Sequence, residues 1–131
     1  MSTQPEAAAW RERAVVDLDS AERLAAHGGH PDAVCFHCQQ AVEKWLKARI
    51  ASRDVDPPRT HDLIALARAA GVASTDLGCA DSDLSFLTGC YLASRYPDTG
   101  ATPGTPEDGL RALRIARAAL AGSAPTAPPG S

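Results

Sequence analysis

The stretch from Cys38 to Ala48 constrains the fold more than any other part of the chain. Cys38, Val42, Trp45 and Leu46 recur at spacings of three and four, the repeat of one side of an α-helix. Gln40, Glu43, Lys44 and Lys47 then occupy the neighbouring face, which is expected to be the wetter one. Continued in both directions, the apolar stripe takes in Val34 and Ile50, so a helix is predicted from Pro31 to Ser52, with the proline suited to its first turn. Asp56, Pro57 and Pro58 must then turn the chain, because proline lacks the backbone donor a helix needs and restricts the residue before it.

Other segments repeat the pattern. Trp10, Ala14, Val15, Leu18, Ala21, Leu24 and Ala25 make an amphipathic helix of Ala7 to Ala26, closed by Gly28 and Gly29. Thr60 is the expected N-cap of a short third helix carrying Leu63, Ile64, Leu66, Ala67 and Ala70 as far as Gly71. Asp81 or Ser82 can cap a fourth, with Leu84, Leu87, Tyr91 and Leu92, ending at Arg95. After a turn-rich loop from Asp98 to Gly104, Thr105 as N-cap, Pro106 and two acids open a fifth helix to Ala121. No run alternates as a strand would. The expected class is all-α, an antiparallel up-and-down helical bundle of four main helices plus a short one. Residues 1–5 are read as a flexible N-terminus and 6–121 as the bundle. Residues 122–131, rich in Pro, Gly, Ala and Ser, are read as a disordered tail that cannot offset its ordering entropy.

A chain of 131 residues, 44% of them hydrophobic, can enclose one core without a metal or disulfide framework. Its net charge of -3 excludes a globally basic nucleic-acid binder, so any RNA contact must be local. Neither an export signal nor a run of about 18 apolar residues is present, which makes a cytoplasmic protein without a membrane span the expectation. Four cysteines in that setting are read first as reduced thiols packed in the core.

Candidate sites each have a plain structural account beside the functional one. Cys35 and Cys38 share a helix face but His37 projects elsewhere, so the three do not form a local zinc site, and His27, His30 and Asp32 read as a solvated turn; no metal is expected. Glu43 and Lys47 have the i, i+4 order of an intrahelical ion pair, while Lys44 or Lys47, with Arg49 and Arg53, can instead form a phosphate patch. His61, read as lying just inside a helix amino terminus, either meets a nucleotide phosphate there or folds back on a neighbouring carbonyl. Arg95 and Tyr96 either end a helix or hold a phosphate and stack a base.

The order Gln39, Gln40, Glu43, Lys44, Lys47, Ala48, followed after about a dozen residues by Thr60, His61, Asp62 and Leu63, resembles the HEPN family (higher eukaryotes and prokaryotes nucleotide-binding domain). Tyr91 to Pro97 and the Pro106-Glu107-Asp108 helix start extend the resemblance over nearly the whole predicted bundle. It implies an antiparallel bundle that forms homodimers and, in small stand-alone prokaryotic members, is often paired with a minimal nucleotidyltransferase. Many relatives of that family are metal-independent endoribonucleases that use an Arg followed four to six residues later by His. Here no His follows Arg95 within that reach, and Arg23 with His30 lies in the wrong part of the bundle. The resemblance therefore points to a non-catalytic protein that binds a nucleotide, ATP or GTP, or a nucleotidyltransferase partner in a two-component system of the toxin-antitoxin kind. Lys44, Lys47, His61, Arg95 and Tyr96 are the expected nucleotide or phosphate contacts, with no catalytic residue assigned. The alternative is an endoribonuclease with an unconventional active site built from His61 and Arg95.

Overall fold

A computed structural model describes residues 4–96 and 104–122. Among these residues five α-helices follow one another: α1 (Gln4–Ala26), α2 (Pro31–Ala51), α3 (Leu63–Ala70), α4 (Asp81–Arg95) and α5 (Pro106–Gly122), with one 3-10 turn (Ser74–Leu77) between α3 and α4. No strand occurs among the described residues, so the class is all-α as the periodicity predicts. Gln4 and Pro5 belong to α1 rather than to a flexible terminus, since proline is tolerated in a first turn. Residues 1–3, most of the loop expected at 98–104, and the tail expected at 122–131 apart from the end of α5 lie outside the described residues.

The bundle is organised around α2, which packs against α1, α3, α4 and α5. Its most extensive partner is α1, whose buried face consists of Ala7, Ala14, Asp17 and Ala21. Small side chains at those positions let the helices approach closely. Val15, which the periodicity assigns to the apolar side, is instead more than half exposed, together with Val16. Leu46, Ile50, Leu63, Leu66, Leu77, Leu84, Leu87 and Ile115 fill the centre of the core. No helix among the described residues is long and apolar enough to cross a membrane.

Local chemistry sets the helix ends. Gly28, at φ 73, takes the left-handed conformation that closes α1, and the Gly29 N–H donates to the Leu24 carbonyl at 2.6 Å. The cap of α3 is Asp62, not Thr60: its Oδ1 accepts the N–H groups of Ile64 and Ala65 at 3.0 and 3.3 Å. Thr60 Oγ1 instead accepts the Asp62 N–H at 3.2 Å. A carboxylate can meet two amides at once, which a hydroxyl two residues upstream cannot. Thr105 and Asp108 form the expected reciprocal cap of α5, each N–H donating to the other's side chain at 2.9 and 3.2 Å.

For α4 the cap position is Ala80 rather than Asp81 or Ser82, and its N–H donates to Asp83 Oδ2 at 3.0 Å. Asp83 also receives Arg111 of α5, whose Nε and Nη2 lie 3.2 and 3.0 Å from Oδ1 and whose guanidinium sits 4.3 Å from the Phe86 ring centroid. The Ala80 amide first, and Arg111 second, hold the Asp83 carboxyl below its ordinary pKa against the opposing effect of burial. A depressed carboxyl pKa stabilises the fold above the unfolded value and ceases to do so as pH falls through the folded one. Asp83→Ala should therefore cost about 1 to 2 kcal/mol at neutral pH. In urea titrations the gap from wild type should close as the buffer is taken down through the carboxylate range; a gap independent of pH would refute the assignment.

Candidate functional site

Gln39, Glu43 and Lys47 fall at successive four-residue steps on α2 and form a buried polar column. The face expected to be wet is therefore interior at Glu43 and Lys47, because α2 is enclosed by neighbours on every side. Glu43 has donors on both oxygens: Gln39 Nε2 at 3.1 Å and His61 Nδ1 at 2.8 Å meet Oε1, and Lys47 Nζ at 3.1 Å meets Oε2. The intrahelical pair predicted from spacing is thus present, but as a buried pair, with Lys47 also 5.3 Å from the Trp10 ring centroid.

His61 is held on three sides. Its carbonyl accepts Gln39 Nε2 at 3.1 Å, its Nδ1 faces Glu43, and its ring stacks on Tyr91 of α4 with centroids 3.9 Å apart and planes inclined by 20°. A carboxylate has only acceptor capacity, so Nδ1 carries a hydrogen towards Glu43, and the outward Nε2 is an acceptor in the neutral ring and a donor in the imidazolium. The side chain is 47% exposed. His61 precedes the Asp62 cap instead of lying inside α3, and the Asp62 carboxylate occupies the amides that were expected to attract a phosphate. Whatever His61 binds, it binds with its ring.

Arg95, in the last turn of α4, places its guanidinium carbon 5.9 Å from the same Tyr91 ring centroid. Tyr96 caps the helix and is 57% exposed. Lys44 is engaged elsewhere: its Nζ lies 2.5 Å from Asp17 Oδ2 of α1, and the other oxygen of that carboxylate is 3.0 Å from His37 Nδ1. Of the five predicted contacts, His61 and Arg95 each lie against the Tyr91 ring, Tyr96 follows Arg95, and the two lysines face carboxylates. Among the described residues no three His, Cys, Asp or Glu side chains are grouped to hold a metal ion.

Three participants escape a reading of the sequence. Tyr91 reads as an apolar position of α4 and the first residue of the Tyr91 to Pro97 resemblance, with no contact assigned to it, Asp17 carries no signal of its own, and Gln39 is part of a motif with no assigned partner. The detectable signal is the i, i+4, i+8 series of Gln39, Glu43 and Lys47 inside a helix that is apolar on both flanks.

Breaking a buried pair by removing one partner strands the other charge, at a cost of about 3 to 5 kcal/mol. Glu43→Ala should show a loss of that size in denaturant unfolding, whereas the double change Glu43→Leu with Lys47→Met should recover most of it. A Glu43→Ala loss within the range of ordinary surface substitutions would mean that the column is solvated.

Comparison with known proteins agrees with this architecture. The chain is similar to TT1696 from Thermus thermophilus, with 28% identity, a TM-score of 0.72, and coverage of 88% of this chain and 94% of that one. It also resembles ST0689, an archaeal HEPN homologue, at 24% identity and a TM-score of 0.68 over 88% of this chain and 93% of the other, a likeness of fold. No curated protein matches it. The HEPN domain family model matches residues 7–121, from the first buried alanine of α1 to the end of α5 and with the polar column and His61 inside the match; the chain belongs to the HEPN domain family.

Proposed function

We propose that this HEPN bundle is a non-catalytic protein that binds the phosphate of a nucleotide, ATP or GTP, through His61 and Arg95. The observation that carries the reading is that an imidazole fixed by Glu43 and a guanidinium both lie against the Tyr91 ring. Glu43 and Gln39 hold His61 from behind, so in its imidazolium form the ring offers Nε2–H to a phosphate oxygen without having to be ordered on binding, and preorganisation of that kind favours affinity. Arg95 supplies a permanent charge with a planar donor fork suited to phosphate. Tyr96 offers an exposed face on which a base can stack. Lys47 and Lys44 act behind this layer, offsetting the charges of Glu43 and Asp17. The physiological setting we propose is a cytoplasmic homodimer paired with a minimal nucleotidyltransferase, in a two-component system of the toxin-antitoxin kind.

A second reading is favoured by one feature, the Glu43 and His61 pair, with Arg95 against the same Tyr91 ring on which His61 stacks. A carboxylate that fixes the Nδ1 hydrogen leaves Nε2 as acceptor for the proton of a ribose 2′-hydroxyl, and a guanidinium can stabilise charge on the adjacent phosphate. That is the chemistry of metal-independent RNA cleavage, with the acid-base group supplied from before α3 instead of from the segment after Arg95.

Calorimetric titration with ATP and GTP tests the first reading. Wild type should bind one of them, and His61→Ala or Arg95→Ala should each weaken binding at least about tenfold, equivalent to roughly 1.4 kcal/mol. Absence of binding, together with a pull-down from native extract that yields no nucleotidyltransferase, would defeat it. Release of cyclic-phosphate ends from RNA in the presence of a chelator, lost in His61→Ala, would install the nuclease reading in its place.

A further inference from the structure

The charges around His61 do not match one to one. Glu43 presents a single negative charge to two bases, with His61 Nδ1 2.8 Å from Oε1 and Lys47 Nζ 3.1 Å from Oε2. Lys47 is itself enclosed, its side chain 10% exposed and its ammonium 5.3 Å from the Trp10 ring centroid. With Lys47 charged, Glu43 is already neutralised, and the three side chains sum to zero only while the imidazole is neutral. The other groups around the ring do not redress the balance. From α4 come Tyr91, stacked at 3.9 Å, and the cation Arg95 against the same phenol ring, while the adjoining Asp62 carboxylate is turned to the amides of Ile64 and Ala65. An imidazolium here is therefore one cation in excess at the edge of a core where unmatched charge is costly.

We propose that a phosphate enters this site together with one proton, taken up at His61 Nε2, and that Lys47 is the positioning residue that makes the two arrive together. The inference rests on the phosphate-binding reading of His61 and Arg95. Glu43 fixes the Nδ1 hydrogen, so in the neutral ring the outward Nε2 has a lone pair and no hydrogen, and a lone pair repels a phosphate oxygen. A hydrogen bond to phosphate at that atom requires a proton, which comes from solvent. The arriving phosphate brings the negative charge that the imidazolium lacks, so anion and proton each favour the other's binding. Lys47 touches neither and acts through Glu43. By occupying the second carboxylate oxygen it keeps the unliganded ring neutral. Without it, Glu43 is left to the imidazolium, and the ring is charged before any ligand arrives. The result is a phosphate site whose affinity falls as pH rises, by up to about tenfold per unit for one proton. A site made only of lysine and arginine would hold its affinity over the same range.

Calorimetric titration of the full chain with ATP, in buffers of unlike ionisation enthalpy, counts the protons. It is done above neutral pH, where a terminal phosphate, with its last ionisation at about 6, is already dianionic. The wild-type heat should rise with buffer ionisation enthalpy, the slope approaching one proton taken up per ATP. Lys47→Met should bind ATP more tightly at that pH with a smaller slope, and Lys47→Arg, which keeps the charge, should restore the wild-type slope. Arg23→Met removes an equal charge from an exposed pair with Asp19 and should change neither value. Clear binding with the same heat in every buffer overturns the proposal, and that arm needs no variant to fold. A wild-type slope in Lys47→Met removes Lys47 from it. If ATP binds in no buffer, the phosphate-binding reading fails and proton-coupled binding fails with it. The sharing of Glu43 is then judged on the free protein: the His61 imidazole resonance, identified by its loss in His61→Gln, should titrate at higher pH in Lys47→Met than in wild type. Coincident titrations would overturn that part as well.

Discussion

A carboxylate enclosed by a helical core must find donors or forfeit its hydration, and Glu43 sits in the middle of the helix that every other helix touches. The Born cost of burying an ion of this kind is large, and the effective penalty after relaxation is still several kcal/mol. Gln39 and Lys47 offset part of it from the same helix, one turn to either side. The third donor comes from outside α2, and it can only be brought there by the segment that follows the paired prolines. Satisfying Glu43 therefore fixes the position of His61, and through it the approach of the chain to α3.

From that anchor the rest of the site follows by contact. His61 covers one aromatic ring, Tyr91, and Tyr91 belongs to a helix held in register by other means: the Leu63 N–H donates to Thr88 Oγ1 at 3.1 Å, and Asp83 joins α4 to α5 through Arg111. Arg95 lies one turn beyond Tyr91 on α4, so its place against that ring is a consequence of helical pitch. A surface group that is half exposed is thus aimed by groups that are almost wholly buried. Such an arrangement keeps a polar site rigid on a bundle whose loops supply few restraints of their own.

A second carboxylate repeats the principle at the α1 and α2 interface. Asp17 falls on the face of α1 that is otherwise lined by alanines, and it is met by Lys44 and His37 together. Both lysines of the motif serve as counter-charges to buried acids, which is why a motif rich in Lys does not amount to a basic surface.

Much of the fold was legible in the sequence because it depends on local rules. Apolar spacing defines α2, Pro57 and Pro58 end the segment after it, and Thr105 and Asp108 announce the start of α5 by a reciprocal bond that spans only four residues. Where neighbours compete, local rules were insufficient: Asp62 displaced Thr60 as a cap because its carboxylate reaches two amides, and Val15 lies outside because the alanine face of α1 packs closer. Membership of the HEPN family could be read from the order of Gln39, Glu43, Lys47 and His61, since such a motif survives as a linear string. What these residues do to one another could not. The contact of Glu43 with His61, of Tyr91 with His61, and of Asp17 with Lys44 each joins residues from different segments of the chain. No periodicity encodes such pairs. They arise when helices dock and buried polar groups must select the partners within reach, so the sequence by itself determined the helices and the family, and tertiary packing alone decided which side chains make the site.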